Sequence, residues 1–567
     1  MGKNNKEIAE SLEKFSDLLE ASGDNPYRVR AYRRAARSIL KLDTNIELLL
    51  AQGFDLTTLP WIGDKIADTI NHLLSSNEEL VLKKDSNKVL NELQDIHGLG
   101  PQKIKLLNQK YNIYTKRSLL RALEADTISE FNEHLKSELK KEIRKPRKKN
   151  KFLRLFYAIT VVDSLLRHLR ELPGVQWVEC AGEFRRKKDV INEIDFIICT
   201  QNFTSLINHI TSLSAVKDLV QQSDECISVN LRVGVKMNLY SLPKASLGSA
   251  LLFHTGNKAH VEHLIQLAAN KGYLLQKNGL FAGQKTFENV TEKDIYHALD
   301  LAYIEPELRE DKGEITAALN HALPQLIQLV DIIGDLHSHT NETDGSEPLE
   351  NMVHAAIRKG YHYLAITDHS KRLAITHGLD EKRLLQQIAQ IDKLNEQLTD
   401  FIVLKSIEVD ILEDGSLDLS NDVLKELDIV LCSIHSKFNL PESQQTERII
   451  RAMDNPYFDI LGHATGRLIK SRPPYPITIE KILWAAKERG CFIELNAQPY
   501  RMDINDDYCQ LAKKIGVKVA ISTDAHSIRN FNFMPVGIYQ ARRGWLEKSD
   551  VINTYEWPSL KKMLRKR

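Results

Sequence analysis

Seven apolar, strand-like runs recur between Asp331 and His526, and each ends in residues able to bind a metal ion or a phosphate. They are DIIGDLHSHT, YLAITDHS, IVLKSIEVDI, DIVLCSIHS, FDILGHATGR, CFIELNAQP and VKVAISTDAH. Helical patterns such as PLENMVHAAIRKG and IEKILWAAKERG lie between them. A strand-then-helix repeat of this kind predicts a parallel β/α barrel, where the loops at the C-terminal ends of the strands converge on one cavity. Polar residues spread over about 190 residues of chain then meet in space.

Their identity sets the chemistry. The strand ends carry six histidines (His337, His339, His369, His435, His463 and His526) and three carboxylates (Asp344, Glu408 and Asp524). Imidazole mixed with carboxylate suits Zn2+, Mn2+ or Fe2+, whereas an all-oxygen set suits Mg2+ or Ca2+. A lone histidine is more often a hydrogen-bonded core residue. Six at strand ends, within HxH, TDH and DAH, are not explained that way. Adjacent ions can generate hydroxide and neutralise a phosphodiester, and nine donors serve three ions only if a carboxylate bridges.

At 567 residues the chain exceeds one hydrophobic core, and several domains are expected. Residues 1–145 read as helical, 146–325 mix strands such as VQWVECAG, IDFIICT and SVNLRVGVKMNLYSL with helices, and 326–567 hold the barrel. No apolar run reaches the ~18 residues of a membrane span, and MGKNNKEIAESLEKF reads as a charged helix with no apolar leader core. Six scattered cysteines without a CxxC pair predict reduced thiols and a cytoplasmic location. The absence of an apolar span predicts no membrane partner, and a monomer is expected.

The net charge of +1 conceals local clusters. Between Lys140 and Arg154 nine Lys or Arg residues face one acid, Glu142, and Arg28, Arg30, Arg33 and Arg34 lie on an early helix. Such patches neutralise nucleic-acid phosphates; a solvated linker and a solvated helix face are the plain alternatives. LPWIGDKIADTI and IHGLGPQKIKLL, about 37 residues apart, each place glycine before a helix start. That is the form of a helix-hairpin-helix, whose amides hold a DNA phosphate. Gly63, Lys65, Gly98, Gly100 and Lys103 are its candidate DNA contacts, with Arg33 and Arg34 beside them.

The barrel motifs GDLHSHTNETDG, ITDHS, EVDI, SIHS, GHATGR, ELNAQPYRMD and ISTDAH resemble the PHP (polymerase and histidinol phosphatase) domain. The resemblance implies a distorted seven-stranded (β/α)7 barrel with up to three Mn2+ or Zn2+ ions. One ion takes His337, His339, Glu408 and Asp524. A second shares Glu408 and adds His435 and His463, and a third takes Asp344, His369 and His526. Glu408 and Asp524 would thus be catalytic, and Arg467 and Arg501 are candidates for gripping the substrate phosphate.

AGEFRRKKDVINEIDFIICT, SALLFHTGNKAHVEHLIQLAANKGYLLQKNGLF and ALDLAYIEPELREDKGEI resemble the family X DNA polymerases of bacteria. This implies an α-helical DNA-binding front domain, an α+β nucleotidyltransferase-like core and the barrel, in that order. It also implies gap or base-excision repair and a metal-dependent 3'-5' exonuclease, with abasic-site cleavage as a further option. The substrate would be gapped, nicked or 3'-recessed DNA, with deoxynucleoside triphosphates as co-substrate only for synthesis.

The core departs from that family. Nucleotidyl transfer uses three carboxylates to hold two Mg2+ or Mn2+ ions. Here they read Glu193, Asp195 and Asn238, and the triphosphate-binding Gly-Ser reads Gly182-Glu183, while Arg185 and Arg186 remain. Thr69 stands where the family's imine-forming lysine falls, with Lys65 one turn away. An impaired polymerase site is expected. The competing reading keeps gap-filling synthesis, completed by Asp189 and proofread by the barrel. A DNA-binding scaffold and a small-molecule phosphatase are more distant alternatives.

Overall fold

The computed structural model of the chain describes residues 152–283, 285–287, 291–373 and 376–564. Before these it describes residues 5–21, 26–40, 46–51, 64–75, 116–124 and scattered positions between 42 and 140. The chain divides into two compact units, Met1–Lys149 and Asn150–Arg567.

In the first unit the described elements are helical: Asn5–Ala21, Pro26–Leu40, Ile46–Ala51, Asp64–Ser75 and Lys116–Glu124. Proline opens the second helix, where its missing N–H costs nothing. Ile8, Leu12, Phe15, Ala35, Ile39, Ile66, Ile70 and Leu73 recur at helical spacing and close one core. Gly63, Gly98, Gly100, Lys103 and almost all of the basic run near 145 lie outside the described residues, as does the side chain of Lys65. Arg33 and Arg34 are half-buried, with the Arg34 guanidinium 4.3 Å above the Trp61 ring. Thr69 faces the Tyr32 hydroxyl at 3.2 Å.

The second unit opens on a five-stranded sheet: β1 (Val175–Cys180), β2 (Glu193–Thr200), β3 (Val216–Gln222), β4 (Cys226–Leu231) and β5 (Lys236–Ser241). Its order is β1-β2-β5-β4-β3, antiparallel except between β2 and β5. The run SVNLRVGVKMNLYSL, read from sequence as one strand, is two. The chain reverses around Gly234, whose φ of 98° suits glycine, and β4 pairs back onto β5. The β2/β5 register sets Asp195 opposite Asn238 and Glu193 opposite Lys236. A helical lobe with a three-stranded meander (residues 274–287) follows around Leu252, Leu264, Ile295, Tyr296 and Ile315.

The barrel strands are β6 (Gly334–Asp335), β7 (Tyr363–Ile366), β8 (Ile402–Lys405), β9 (Glu408–Asp410), β10 (Leu431–Ser433), β11 (Ile460–Leu461), β12 (Phe492–Asn496) and β13 (Val519–Ser522), all paired in parallel. IVLKSIEVDI, expected as one strand, breaks at Ser406–Ile407, so β8 ends one sheet and β9 begins the next. Parallel bridges His369–Glu408 and Ser338–Ala525 join the two sheets into a closed ring. Tyr363, Ile429, Phe492 and Ala520, at or near the strand starts, pack in one cluster with Leu336, Leu404 and with Ile552, Trp557 and Leu560 of the C-terminal segment. That end is plugged, so the ligand-bearing strand ends form the open mouth.

The polymerase-like core and the barrel share a packed interface. Met502 and Val536 of the barrel belong to the same buried cluster as Leu155, Phe184 and Ile194. Arg543 donates to the Arg186 carbonyl at 2.8 Å, to Glu310 at 2.9 Å and to Asp506 at 2.7 Å, and Arg186 shares Glu310. Burial tends to raise the Glu310 and Asp506 carboxyls, but the surrounding guanidiniums hold both below their ordinary values.

Candidate functional site

The nine donors come from β6, β7, β9, β10, β11 and β13 or from the loops that follow them. From β6 come His337 and His339, alternate residues that both face inward and are fully buried. The following loop brings Asp344, and His369 follows β7. Glu408 opens β9, His435 follows β10, His463 follows β11, and Asp524 and His526 follow β13. His463 and Asp524 hold φ of 24° and 51°, left-handed positions that non-glycine residues seldom take. Such strain concentrates at sites where a side chain must be aimed. Gly462 makes room: a Cβ there would lie 2.4 Å from Ser433 Oγ.

The nine side chains form one contiguous cluster. His339, Asp344, His369 and His526 offer ligand atoms within 4.8 Å of one another, as do His337, His339 and Asp524, and His369, Glu408 and His435. Glu408 is central: Oε1 lies 2.8 Å from His463 Nε2 and 3.2 Å from His435 Nε2. Its Oε2 lies 2.9 Å from His369 Nδ1 and 3.5 Å from His337 Nε2. Asp524 Oδ1 lies 3.3 Å from His339 Nε2 and 3.4 Å from His526 Nδ1, and Asp344 lies 3.2 Å from His526 Nε2.

Burial opposes ionisation of Glu408 and Asp524, yet the imidazoles around them hold both carboxyls well below the usual range. Burial likewise opposes charge on the imidazoles. His339 falls to about 4 and His463 to about 3, with His526 and Arg501 respectively adding to the effect. His435 and His526 rise to about 9 because Glu408 and Asp344 outweigh burial. Buried ring nitrogens of His339, His369 and His463 and Oδ1 of Asp344 make no hydrogen bond in the structure. Buried polar atoms are rarely left so; this donor set fits divalent cations.

A further ring of carboxylates fixes the donors. Glu494 Oε1 accepts from His337 Nδ1 at 2.6 Å, and its Oε2 accepts the His463 backbone N–H at 2.6 Å. Asp335 accepts the Thr523 amide at 3.1 Å and the His337 amide at 3.3 Å, and burial pushes its carboxyl up to about 6. Asp368 holds the Thr340 amide at 2.9 Å and Gln387 Nε2 at 2.7 Å, and Asp410 accepts the His435 amide at 3.1 Å. None of these acids is among the residues expected from sequence, although every one sits inside a strand-end motif. Such partners set ring orientation and donor basicity, and losing one typically costs ~10–100-fold in metal affinity or activity. Glu494→Gln, which keeps the shape and loses the charge, is expected to weaken metal binding about 10–100-fold with the fold intact. Metal titration followed by circular dichroism checks this; unchanged affinity contradicts it.

The two arginines part company. Arg501 Nε lies 3.3 Å from Asp524 Oδ2 and faces the cluster. Arg467, expected to grip phosphate, is instead committed to the frame. It donates to the carbonyls of Arg501 (2.7 Å) and Met502, and pairs with Asp189 of the preceding domain at 3.0 Å. No sequence signal announces that partner, which lies in another domain. The same pair occupies Asp189, the acid that the gap-filling reading uses to complete the core's metal site.

In that core the carboxylates are satisfied internally. Asn238 Nδ2 donates to Glu193 Oε2 at 2.9 Å and to Asp195 Oδ1 at 2.8 Å, while Ser228 donates to Asn238 Oδ1 at 2.7 Å. Lys236 Nζ lies 3.0 Å from Glu193. Burial raises the Asp195 carboxyl, the Asn238 hydrogen bond lowers it, and Glu193 and Glu183 raise it further. Gly182 is required beside it: φ is 63° and a Cβ would lie 2.2 Å from Asp195 Oδ2. Glu183 folds back onto the Asn192 backbone N–H at 2.7 Å. Arg185 pairs with Glu292 at 2.6 Å and Arg186 with Glu310 at 2.9 Å.

Three families match parts of the chain: a helix-hairpin-helix domain over residues 3–79, a DNA polymerase beta thumb over 250–310 and a PHP domain over 335–498. The chain is 31% identical to the DNA polymerase/3'-5' exonuclease PolX of Bacillus subtilis (strain 168), over 99% of both proteins. A protein named as a probable phosphatase from Thermoanaerobacter sp. (strain X514) is 35% identical over 34% of this chain and 79% of its own length. Another so named, from Caldanaerobacter subterraneus, is 34% identical over 34% of the chain and 76% of its own. Both align with a segment of 207 residues, about the size of the barrel. Barrel, core and helical front end thus match in order along the whole chain, which belongs to the bacterial family X DNA polymerases that carry a C-terminal PHP domain.

Proposed function

We propose that the chain is a divalent-metal-dependent DNA phosphodiesterase that removes nucleotides from 3' ends, and that its nucleotidyltransferase core holds DNA without extending it. The observation carrying this is the contrast between two carboxylate sites. In the barrel, six imidazoles and three carboxylates converge on one buried cluster, where Nδ1 of His339 and of His463 makes no hydrogen bond. In the core, Asn238 and Lys236 already occupy the carboxylates that cations would need. The name of the Bacillus subtilis relative, with its exonuclease activity, supports the first half.

Bound Mn2+ or Zn2+ would supply a hydroxide nucleophile and neutralise the phosphodiester. His337, His339, Glu408 and Asp524 would hold one ion, Glu408, His435 and His463 a second, and Asp344, His369 and His526 a third. Arg501 faces the space beside Asp524, where its guanidinium can offset charge on a phosphate oxygen. Glu494 keeps His337 oriented throughout. The helix-hairpin-helix match favours DNA over a small phosphate ester, the substrate class that the barrel-only relatives' names support. A cytoplasmic, monomeric repair nuclease is the setting this reading implies.

Full-length protein stripped with a chelator is expected to leave a 5'-labelled, 3'-recessed duplex intact, and to shorten it stepwise once Mn2+ is returned. Faster turnover of a nitrophenyl phosphate than of DNA under the same conditions would favour the small-molecule phosphatase reading instead.

A further inference from the structure

A second group of charged and aromatic residues borders the barrel mouth and is built from both domains. Arg154, just ahead of the helix Leu155–Glu171, lays its guanidinium 3.7 Å from the ring centroid of Tyr500 and 5.2 Å from that of Tyr157. The two tyrosine hydroxyls are 3.1 Å apart. Lys470 reaches across from the barrel to the Phe152 carbonyl at 2.7 Å, with its ammonium 4.4 Å from the Phe152 ring centroid.

Arg154 and Lys470 are like charges held together. Burial and the adjacent Arg154 guanidinium lower the Lys470 ammonium below its ordinary value. Among the described residues neither cation has a carboxylate partner, and Nη1 of Arg154 is buried with no acceptor. Asp189, whose backbone carbonyl accepts from Leu155, spends its carboxylate on Arg467. Two neighbouring cations without an acid, one with an orphan N–H, are an arrangement that an anion completes. Lys470 also holds φ of 76°, a strained position for a lysine that serves only solvation.

Position ties this group to the metal cluster. Tyr500 immediately precedes Arg501, whose side chain meets Asp524, and the Tyr500 carbonyl accepts from the Ile469 amide beside Lys470 at 2.6 Å. Cations interleaved with aromatic faces are what single-stranded nucleic acid needs: phosphates pair with the cations and bases stack on the rings. We propose that Arg154, Tyr157, Lys470 and Tyr500 form a strand platform that seats the one or two nucleotides preceding the scissile phosphodiester of single-stranded DNA. The platform rests on the phosphodiesterase reading of the barrel. It gives the packing of the barrel against the core a role, since half of the platform comes from each.

The test compares full-length wild type with Arg154→Ala/Lys470→Ala and with Lys470→Ala alone. Substrates are oligothymidylates of increasing length and the nitrophenyl ester of thymidine 5'-monophosphate, with Mn2+. The wild-type kcat/KM should rise with length over the first few nucleotides. The double variant should lose about tenfold or more on the long oligomer while hydrolysing the nitrophenyl ester within about twofold of wild type. Its log KM against log salt should be shallower by roughly 1.4, about 0.7 for each phosphate no longer neutralised. Lys470→Ala should give about half that difference in slope. Equal losses on the oligomer and the ester, or no loss on either, would overturn the platform. An activity-independent arm uses a 4-thiothymidine two nucleotides from the 3' end, photocrosslinked to the protein. Crosslinks in the peptides holding Tyr157 or Tyr500 support the proposal, and crosslinks only elsewhere refute it. Absence of cleavage by wild type with either substrate would instead refute the phosphodiesterase reading, and the crosslink still decides the platform.

Discussion

Replacing His337 and His339 together by alanine is expected to lower DNA hydrolysis by about a thousandfold or more, the scale of losing a metal-generated nucleophile. Both rings are fully buried at the centre of the cluster, and His339 belongs to two of its ligand groups. Removing them strands Asp524 beside Arg501 and deprives Glu494 of its 2.6 Å partner. Ion content by elemental analysis should fall in step with activity. DNA binding should stay near wild type, because helix-hairpin-helix contacts lie in the separate front unit. Wild-type shortening of 3' ends by this variant would place the nuclease elsewhere.

Asn238→Asp is expected to convert the core from a self-satisfied pocket into a cation site. The wild-type amide donates to Glu193 and Asp195 at once. An aspartate removes both donors and gathers three carboxylates, with only Lys236 and the Ser228 hydroxyl in compensation. Without metal this should destabilise the protein by about 1–3 kcal/mol, the cost of losing charge-assisted hydrogen bonds that are only partly buried. Burial already raises the Asp195 carboxyl, so its proton is held more tightly folded than unfolded. The penalty therefore grows as pH rises through the carboxylate range. Mn2+ should then raise the melting temperature more in the variant than in the parent. The comparison belongs in the His337→Ala/His339→Ala background, so that any ion left on the remaining barrel ligands stabilises both proteins alike. Equal Mn2+ stabilisation of both proteins would contradict the prediction.

The barrel is legible in sequence because its signal is chemical as well as periodic. A buried apolar strand ending in histidine or aspartate is rare by chance, and six among seven consecutive runs specify one cavity. Where the sequence misleads, a partner is invisible in it. Arg467 looks like a phosphate clamp in GHATGR, but Asp189 and two carbonyls in ELNAQPYRMD's own loop claim it. Glu494 escapes notice because a glutamate in an apolar strand can face either way, and only the fold shows it meeting His337. The hairpin at Gly234 is hidden because alternation continues on both sides of the turn. Asn238 shows the reverse: its departure from a carboxylate is plain in VGVKMNLYSL. That its amide bridges both remaining acids depends on the parallel register of β2 and β5.

The most direct test of these assignments is a 5'-labelled gapped duplex given to the full-length protein with Mn2+, with and without all four deoxynucleoside triphosphates. Stepwise shortening that is the same in both reactions, and no product longer than the primer even with the His337→Ala/His339→Ala variant, is the predicted result. Templated extension of the primer by either protein would contradict it, because it would require Glu193 and Asp195 to release Asn238 and take up catalytic metal.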